Sequence, residues 1–335
     1  MSDTTRKLAL SNQNQPGYID IQLPASKSIA NRVLMISALA GGSTEIRNLS
    51  NARDTQTMQR LLQNPDSTTW DVLDAGTTMR FLTAYSAVTS NDKTMTGTDR
   101  MKERPIGVLV EALRLLGSDI RYLENAGYPP IQIKKFSKQE VDSINVRGDI
   151  SSQYISALMM IGPVLPEGLE LHLQGTINSR PYIDMTMKVM EQFGADVCWE
   201  GDRTILISPT GYHQTAFKVE PDWSAASYWY TMAAFCPDQT IFIKDLSWDS
   251  IQGDRKMASI MEEMGINTDF SVEGATLSQG TAKETVTIDF ADCPDIAQTI
   301  CVIAAVKQVN CKMTGLESLR IKETDRIYAL QNELA

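Results

Sequence analysis

The sequence predicts an α/β protein assembled from copies of one module, and three observations carry that expectation. Three segments share an amphipathic helix, a glycine stop and a short strand: VEALRLLGSDIRYL from Val110, MKVMEQFGADVCWE from Met187 and ASIMEEMGINTDFS from Ala258. Their glycines, Gly117, Gly194 and Gly265, stand 77 and 71 residues apart, and each unit continues through a turn (NAGYP, EGD, EGA) toward a second strand such as IQIKK or TILIS. A helix ending on glycine is common by itself, but the same downstream order three times is a duplicated unit longer than a solenoid repeat. The third observation is size: 335 residues with 42% hydrophobic and 21% charged side chains exceed one ordinary core and suit a globular chain of two domains or one large one.

Composition narrows the function. With 31 basic against 41 acidic residues, the net charge of -10 argues against a broad nucleic-acid or anionic-membrane surface and leaves room for a local basic pocket. Five cysteines, Cys198, Cys236, Cys293, Cys301 and Cys311, are odd in number and lack CxxC spacing, so neither a disulfide framework nor a zinc site is expected, and a reducing cytoplasm fits best. The first 15 residues carry no apolar signal core and the longest apolar run, Ile300 to Val306, is far short of a membrane span, so a cytoplasmic protein with no membrane partner is expected. His172 and His213 lie in strand-like segments with no nearby acidic or cysteine partner, which leaves acid and base work to lysine and carboxylates. Neither GxGxxG nor GxxxxGK[ST] occurs.

The elements then follow in chain order. ASKSIANRVLMISALAGG, from Ala25 to Gly42, predicts a helix capped at Ser26 or Ser28, with Lys27 in its first turn, Arg32 one turn on and Gly41-Gly42 as the stop. A cation in a first turn opposes the helix dipole by ~0.3 to 1 kcal/mol, a placement that an anion would reverse and that a solvated lysine explains equally well. VLDAGTTMRFLTAYSAV predicts strand, glycine turn and helix, with Gly76 allowing close approach and Arg80 facing back toward the turn. DRMKERPIG gathers Arg100, Lys102 and Arg104 in five residues, suited to phosphate or carboxylate capture or to a charged surface loop. GDISSQYISALMM offers Ser151, Ser152 and Gln153, and NSRPYIDM offers Ser179 and Tyr182, all explicable as helix caps. EPDWSAAS is a further helix start; CPDIAQT places Asp295 at another, and IKETDRIYAL groups Lys322, Glu323, Asp325 and Arg326. Each start offers backbone N–H groups, and several converging with cations attached would hold a polyanionic small molecule.

In this order SKSIANR, DAGTTMR, RMKERPIG, SSQ, SRPYID, PDWSAAS, PDIAQT and KETDR resemble the enolpyruvyl transferases, the EPSP synthase family in particular, from about Leu23 to the last residue. The resemblance implies two similar domains of three βαβαββ units each, residues 21–219 as one and 1–20 plus 220–335 as the other. It implies transfer of the enolpyruvyl group of phosphoenolpyruvate to the 5-hydroxyl of shikimate 3-phosphate, with release of phosphate, by a monomer using no metal or organic cofactor. Carried over residue by residue, Lys27 would touch both substrates; Ser28, Arg32, Ser151, Ser152, Ser179, Tyr182, Asp295 and Lys322 would hold shikimate 3-phosphate; Gly76, Arg104, Gln153 and Arg326 would hold phosphoenolpyruvate. The proton steps would fall to Lys27, Asp295 and Glu323.

The sequence also departs from the family pattern. Asp74 stands where Asn is usual, Phe81 where Pro is usual, which leaves glyphosate sensitivity open, and Ser318 where Asn is common. The family's later Asp-His-Arg motif and C-terminal lysine do not occur, and one more repeat length after Gly265 runs to the last residue, so the second domain is expected to be incomplete within its third unit and the chain nearly inactive. Two other functions compete. The related transfer to UDP-N-acetylglucosamine uses a cysteine in the loop that reads RMKERPIG here, where none of the five lies; a non-catalytic fragment that still binds shikimate 3-phosphate is the other.

Overall fold

The computed structural model describes residues 17–42, 44–89, 92–134, 138–149, 151–177, 180–321 and 324–334. The chain opens with strand β1 (Gly17–Ile21), helix α1 (Lys27–Leu39), strand β2 (Ile46–Arg47) and helix α2 (Arg53–Leu62). Three four-stranded sheets then repeat one plan. The first contains β3 (Thr69–Asp71), β4 (Lys93–Thr96), β5 (Ile120–Tyr122) and β6 (Ile131–Ile133) in the order β3-β4-β6-β5, with α3 (Gly76–Val88), the short α4 (Asp99–Lys102) and α5 (Gly107–Leu115) between strands. The second contains β7 (Ser143–Arg147), β8 (Leu169–Gln174), β9 (Val197–Glu200) and β10 (Thr204–Ile207) in the order β7-β8-β10-β9, with α6 (Ser152–Ile161) and α7 (Arg180–Gln192).

After β11 (Phe217–Lys218), which pairs with β2, the third sheet takes β1 as its first strand. It adds β12 (Gln239–Lys244), β13 (Met264–Phe270) and β14 (Gly274–Ala282) in the order β1-β12-β14-β13, with α8 (Trp223–Phe235) and α9 (Lys256–Glu263). In every copy the first pair is parallel and the other two are antiparallel. A parallel pair needs a long crossover, which α3 and α6 supply in the first two sheets and the whole first core supplies in the third, whereas the last two strands of each sheet, antiparallel, are joined by a turn. The result is βαβαββ in each unit. A further parallel pair, β15 (Thr285–Asp289) and β16 (Asn310–Thr314), flanks α10 (Ala297–Lys307) and precedes α11 (Arg326–Leu334).

The three aligned glycines explain why the repeat is readable. Gly117, Gly194 and Gly265 have φ of +112°, +84° and +85°, the left-handed region that ends a helix and turns the chain into the next strand, where a side chain would be strained.

Apolar burial forms two cores. One runs from Ala25 to Val219 around α6, whose side chains are buried from Tyr154 to Ile161. The other joins Leu23 to residues from Trp223 to Leu319, with Ile19 and Ile21 of β1 packed against it. The chain passes between them twice, and the two passages are hydrogen-bonded to each other: Ser26 N donates to Glu220 O at 2.8 Å and Asp222 N to Pro24 O at 2.9 Å. Among the described residues no helix is long and apolar enough to cross a membrane.

Candidate active site

Four helices of the first core, α1, α3, α6 and α7, begin on the same side, and Arg32 ties three of them together. Its Nε donates to Thr186 Oγ1 at 2.7 Å, Nη1 to Ser28 O at 2.8 Å, and Nη2 to Ser156 Oγ at 3.0 Å and Tyr182 O at 3.2 Å. The group is 3% exposed and lies over the Phe81 ring, 5.5 Å from its centroid. Burial pulls its pKa down to about 10, which still leaves it cationic at neutral pH. Arg32, expected as a ligand contact, is buried here against Ser28 and the first turn of α7, both of which it holds. Phe81, in the position where the family pattern has proline, is its fully buried support.

The expected serine cap of α1 does not form. Ser26 occupies the cap position but is buried and makes no side-chain cap bond. Lys27 N instead faces Asp222 Oδ2 at 3.4 Å, while Asp222 Oδ1 caps α8 by accepting from Ala225 N at 3.0 Å. One carboxylate therefore serves two helix starts, one from each core. The Lys27 side chain is exposed.

The glycine turn before α3 meets the basic loop. A Cβ at Gly76 would lie 2.4 Å from Arg104 Nη1, so only glycine admits the guanidinium there, and Nη1 also donates to Asp74 O at 3.4 Å. No side chain caps α3. The start of α6 lies beside it: Ser151 Oγ accepts from Gln153 N at 3.4 Å and Gln153 Nε2 donates to Thr77 Oγ1 at 3.1 Å, with Ser152 buried next to them. Buried Arg80 does face back to the turn, donating from Nη1 to Gly76 O at 2.8 Å and from Nη2 to Pro105 O at 3.4 Å. Tyr154 Oη donates to the same Pro105 carbonyl at 2.5 Å, bracing the residue after Arg104. The other cations of the loop are spent elsewhere, Arg100 on Glu103 at 2.8 Å and Lys102 on Glu124 at 3.0 Å. The carboxylate of Asp74 faces Arg53 at 3.5 Å, so the added negative charge has its own counter-ion.

The two cores touch at a third cluster. Tyr182 Oη donates to Asp295 Oδ2 at 2.5 Å, and Arg326 Nη1 pairs with Asp295 Oδ1 at 3.2 Å. Burial, then the negative charges of Asp295 and Asp254, hold the Tyr182 phenol well above its ordinary pKa, so it stays a neutral donor. Asp295 lies in the 3-10 turn Pro294–Ile296 just before α10, and Arg326 opens α11. Ser179, Lys322 and Glu323 lie outside the described residues. Ser318 is half-buried in the 3-10 turn Glu317–Ile321.

Some partners escaped the sequence reading. Thr77, Ser156 and Thr186 are small hydroxyl residues on apolar helix faces, indistinguishable from filler until the fold brings Gln153 and Arg32 to them. Asp254 binds Ser224 Oγ and has no signature beyond the glycine before it. His172, expected to lack an acidic partner, has one: Glu170 lies two residues away on the same face of β8, with Nε2 3.3 Å from its carboxylate.

Two βαβαββ-built cores, with paired helix starts and a guanidinium at one cluster and a carboxylate, phenol and guanidinium at another, define an α/β enzyme built to handle anions. The chain belongs to the EPSP synthase (3-phosphoshikimate 1-carboxyvinyltransferase) family, whose model matches residues 13–69 and 59–335. A 3-phosphoshikimate 1-carboxyvinyltransferase of Bacteroides fragilis strain YCH46 is 49% identical over 315 residues, covering 94% of this chain and 76% of that protein. Its counterpart in Methanospirillum hungatei JF-1 is 36% identical over 347 residues, covering 95% and 80%. The solved structure of an EPSP synthase from Acinetobacter baumannii, at 20% identity, superposes with a TM-score of 0.77 over 94% of this chain and 77% of that one, which establishes the shared α/β fold.

Proposed function

We propose that this chain transfers the enolpyruvyl group of phosphoenolpyruvate to the 5-hydroxyl of shikimate 3-phosphate, and that the two cores are two domains, residues 21–219 and 1–20 plus 220–335, with the substrates between them. The observation that carries this reading is the arrangement of Gly76, Arg104 and Gln153: the guanidinium lies against the start of α3, and the amide at the start of α6 donates to Thr77 beside it, in an acidic protein. Such a site suits a phosphate, whose oxygens accept from backbone N–H groups and a bidentate guanidinium together. Arg326 would take the phosphoenolpyruvate carboxylate. Lys27, Ser28, Arg32, Ser151, Ser152, Ser179, Tyr182, Asp295 and Lys322 would hold shikimate 3-phosphate.

In the reaction the 5-hydroxyl oxygen bonds to C2 of phosphoenolpyruvate as the methylene carbon gains a proton. That proton then leaves, and the C2–O bond to phosphate breaks. Asp295 would take the hydroxyl proton, with Arg326 and Tyr182 holding its orientation, and Lys27 and Glu323 would serve the remaining proton transfers.

Calorimetric titration with shikimate 3-phosphate, then phosphoenolpyruvate, with phosphate release measured in the same cell, tests the reading. Shikimate 3-phosphate binding that strengthens phosphoenolpyruvate binding is expected, with phosphate release slow, as the departures from the family's later motifs predict. A folded chain that ignores shikimate 3-phosphate, or binds UDP-N-acetylglucosamine instead, refutes it.

A further inference from the structure

The passage between the cores carries a buried amide whose bonds reach both halves of the site. Gln252 is 5% exposed, and both ends of its side chain are engaged. Nε2 donates to Pro221 O at 2.8 Å, to Glu220 Oε2 at 3.0 Å and to Ser250 Oγ at 3.3 Å, while Oε1 accepts from Trp223 N, the first residue of α8, at 3.1 Å. Glu220 completes the knot, accepting from Ser250 Oγ at 2.5 Å through Oε2 and from Ile251 N at 3.3 Å through Oε1. All of these partners lie either on the passage 220–223 or on the loop 250–252.

Each of those two segments leads to site residues. The passage is hydrogen-bonded through Glu220 O and Asp222 N to residues 24–26, directly ahead of Lys27, and Asp222 also faces the Lys27 amide. The loop continues into Gly253, where a Cβ would lie 2.8 Å from Pro181 Cβ and 2.6 Å from Asp292 O. It is therefore wedged between the residue before Tyr182 and the segment that ends at Asp295. Gln252 stands at the junction of the two paths, and an amide is the side chain that can donate to a carboxylate and a carbonyl on one side while accepting from an N–H on the other.

We propose that Gln252 is a positioning residue for the transfer reaction: by clamping the passage 220–223 onto the loop 250–254 it fixes Lys27 relative to the Tyr182–Asp295 pair, with Glu220 as its counterpart. The proposal rests on the reading of the site as a shikimate 3-phosphate site. Gln252→Glu keeps the shape but turns donors toward Glu220 and Pro221 into lone pairs. In the swap Glu220→Gln/Gln252→Glu, the amide at 220 donates to the carboxylate at 252, and Ile251 N and Trp223 N keep their acceptors, while Pro221 O still lacks its donor.

The experiment measures shikimate 3-phosphate affinity by calorimetry and thermal midpoint for the wild type, Q252E, E220Q and the swap. Expected are a loss of affinity of about tenfold or more in Q252E, the scale of one or two lost hydrogen bonds, and partial recovery in the swap, which regains the bond between 220 and 252 but not the one to Pro221 O. A residue that only stabilises the fold would lower the midpoint and leave affinity intact, so wild-type affinity in Q252E overturns the proposal, as does a swap that binds no better than Q252E. If Q252E does not fold, E220Q takes its place against the swap, with the same two outcomes. Failure of the wild type itself to bind refutes the functional reading instead, and this proposal falls with it.

Discussion

Replacing Tyr182 with phenylalanine removes one oxygen and keeps the ring in place, so its effect isolates the bond between the two cores. That bond is a phenol donating to a carboxylate at 2.5 Å. Hydrogen bonds to charged groups contribute ~1.5 to 3 kcal/mol; Asp295 keeps Arg326 and its side chain is 27% exposed, so water recovers part of the loss and the low end, about 1.5 kcal/mol, applies. Urea unfolding of wild type and Y182F at pH 7.5 and at pH 10.8 reads it. The sign with pH follows from the raised phenol. Below the unfolded tyrosine value of about 10 both states hold the proton and the contribution is complete; above it the unfolded chain gains by ionising first, so the contribution declines as pH climbs toward the higher folded value. Phenylalanine has no such term. The gap between the two proteins should therefore be about 1.5 kcal/mol at pH 7.5 and narrower at pH 10.8. Equal stabilities at pH 7.5, or a gap that widens above pH 10, would refute the assigned bond and its direction.

Gly76→Ala places a methyl group against the Arg104 guanidinium, so phosphoenolpyruvate binding should weaken by about tenfold or more while shikimate 3-phosphate affinity and the thermal midpoint stay near wild type; calorimetry with each substrate separates the two. Lys93→Met should destabilise by ~1 to 3 kcal/mol in urea unfolding, because the buried ammonium donates to the carbonyls of Pro65 and Ser67 beside the Trp70 ring. Thiol labelling of the native protein at pH 8 should modify exposed Cys198 first and leave Cys293, buried and pushed up to about 12, untouched until the chain is unfolded; early loss of the Cys293 thiol by mass spectrometry would contradict that environment.

The features legible in the sequence are those with a local cause. A left-handed glycine after an amphipathic helix is a backbone requirement, so Gly117, Gly194 and Gly265 announced three helix ends and the strands behind them. Asp295 and Tyr182 stood out only through the family resemblance, because capping by itself accounts for a carboxylate at a helix start. Arg32 shows what was hidden. Its burial depends on Thr186, Ser156 and Phe81, which are 154, 124 and 49 residues away in sequence and acquire their roles only when α1, α3, α6 and α7 pack. The first strand of the third sheet was equally out of reach, since β1 precedes its partner β12 by the whole first core.

A helix start without a side-chain cap is ordinary in this molecule: α2, α5 and α10 begin that way as well as α3. What separates α3 from the others is the charge placed against it. A guanidinium at the positive end of a helix is opposed by the dipole at ~0.3 to 1 kcal/mol, yet here the fold works to keep it there. Gly76 gives up its side chain to admit Arg104, and Arg80 and Tyr154 hold the Pro105 carbonyl that follows it. Two buried groups and a glycine thus hold the guanidinium at the start of a helix. A phosphate between the helix start and the guanidinium would accept from both, and the Gln153 amide at the neighbouring helix start adds a neutral donor beside them. Their convergence on one turn is the physical reason to assign phosphate binding to Gly76 and Arg104.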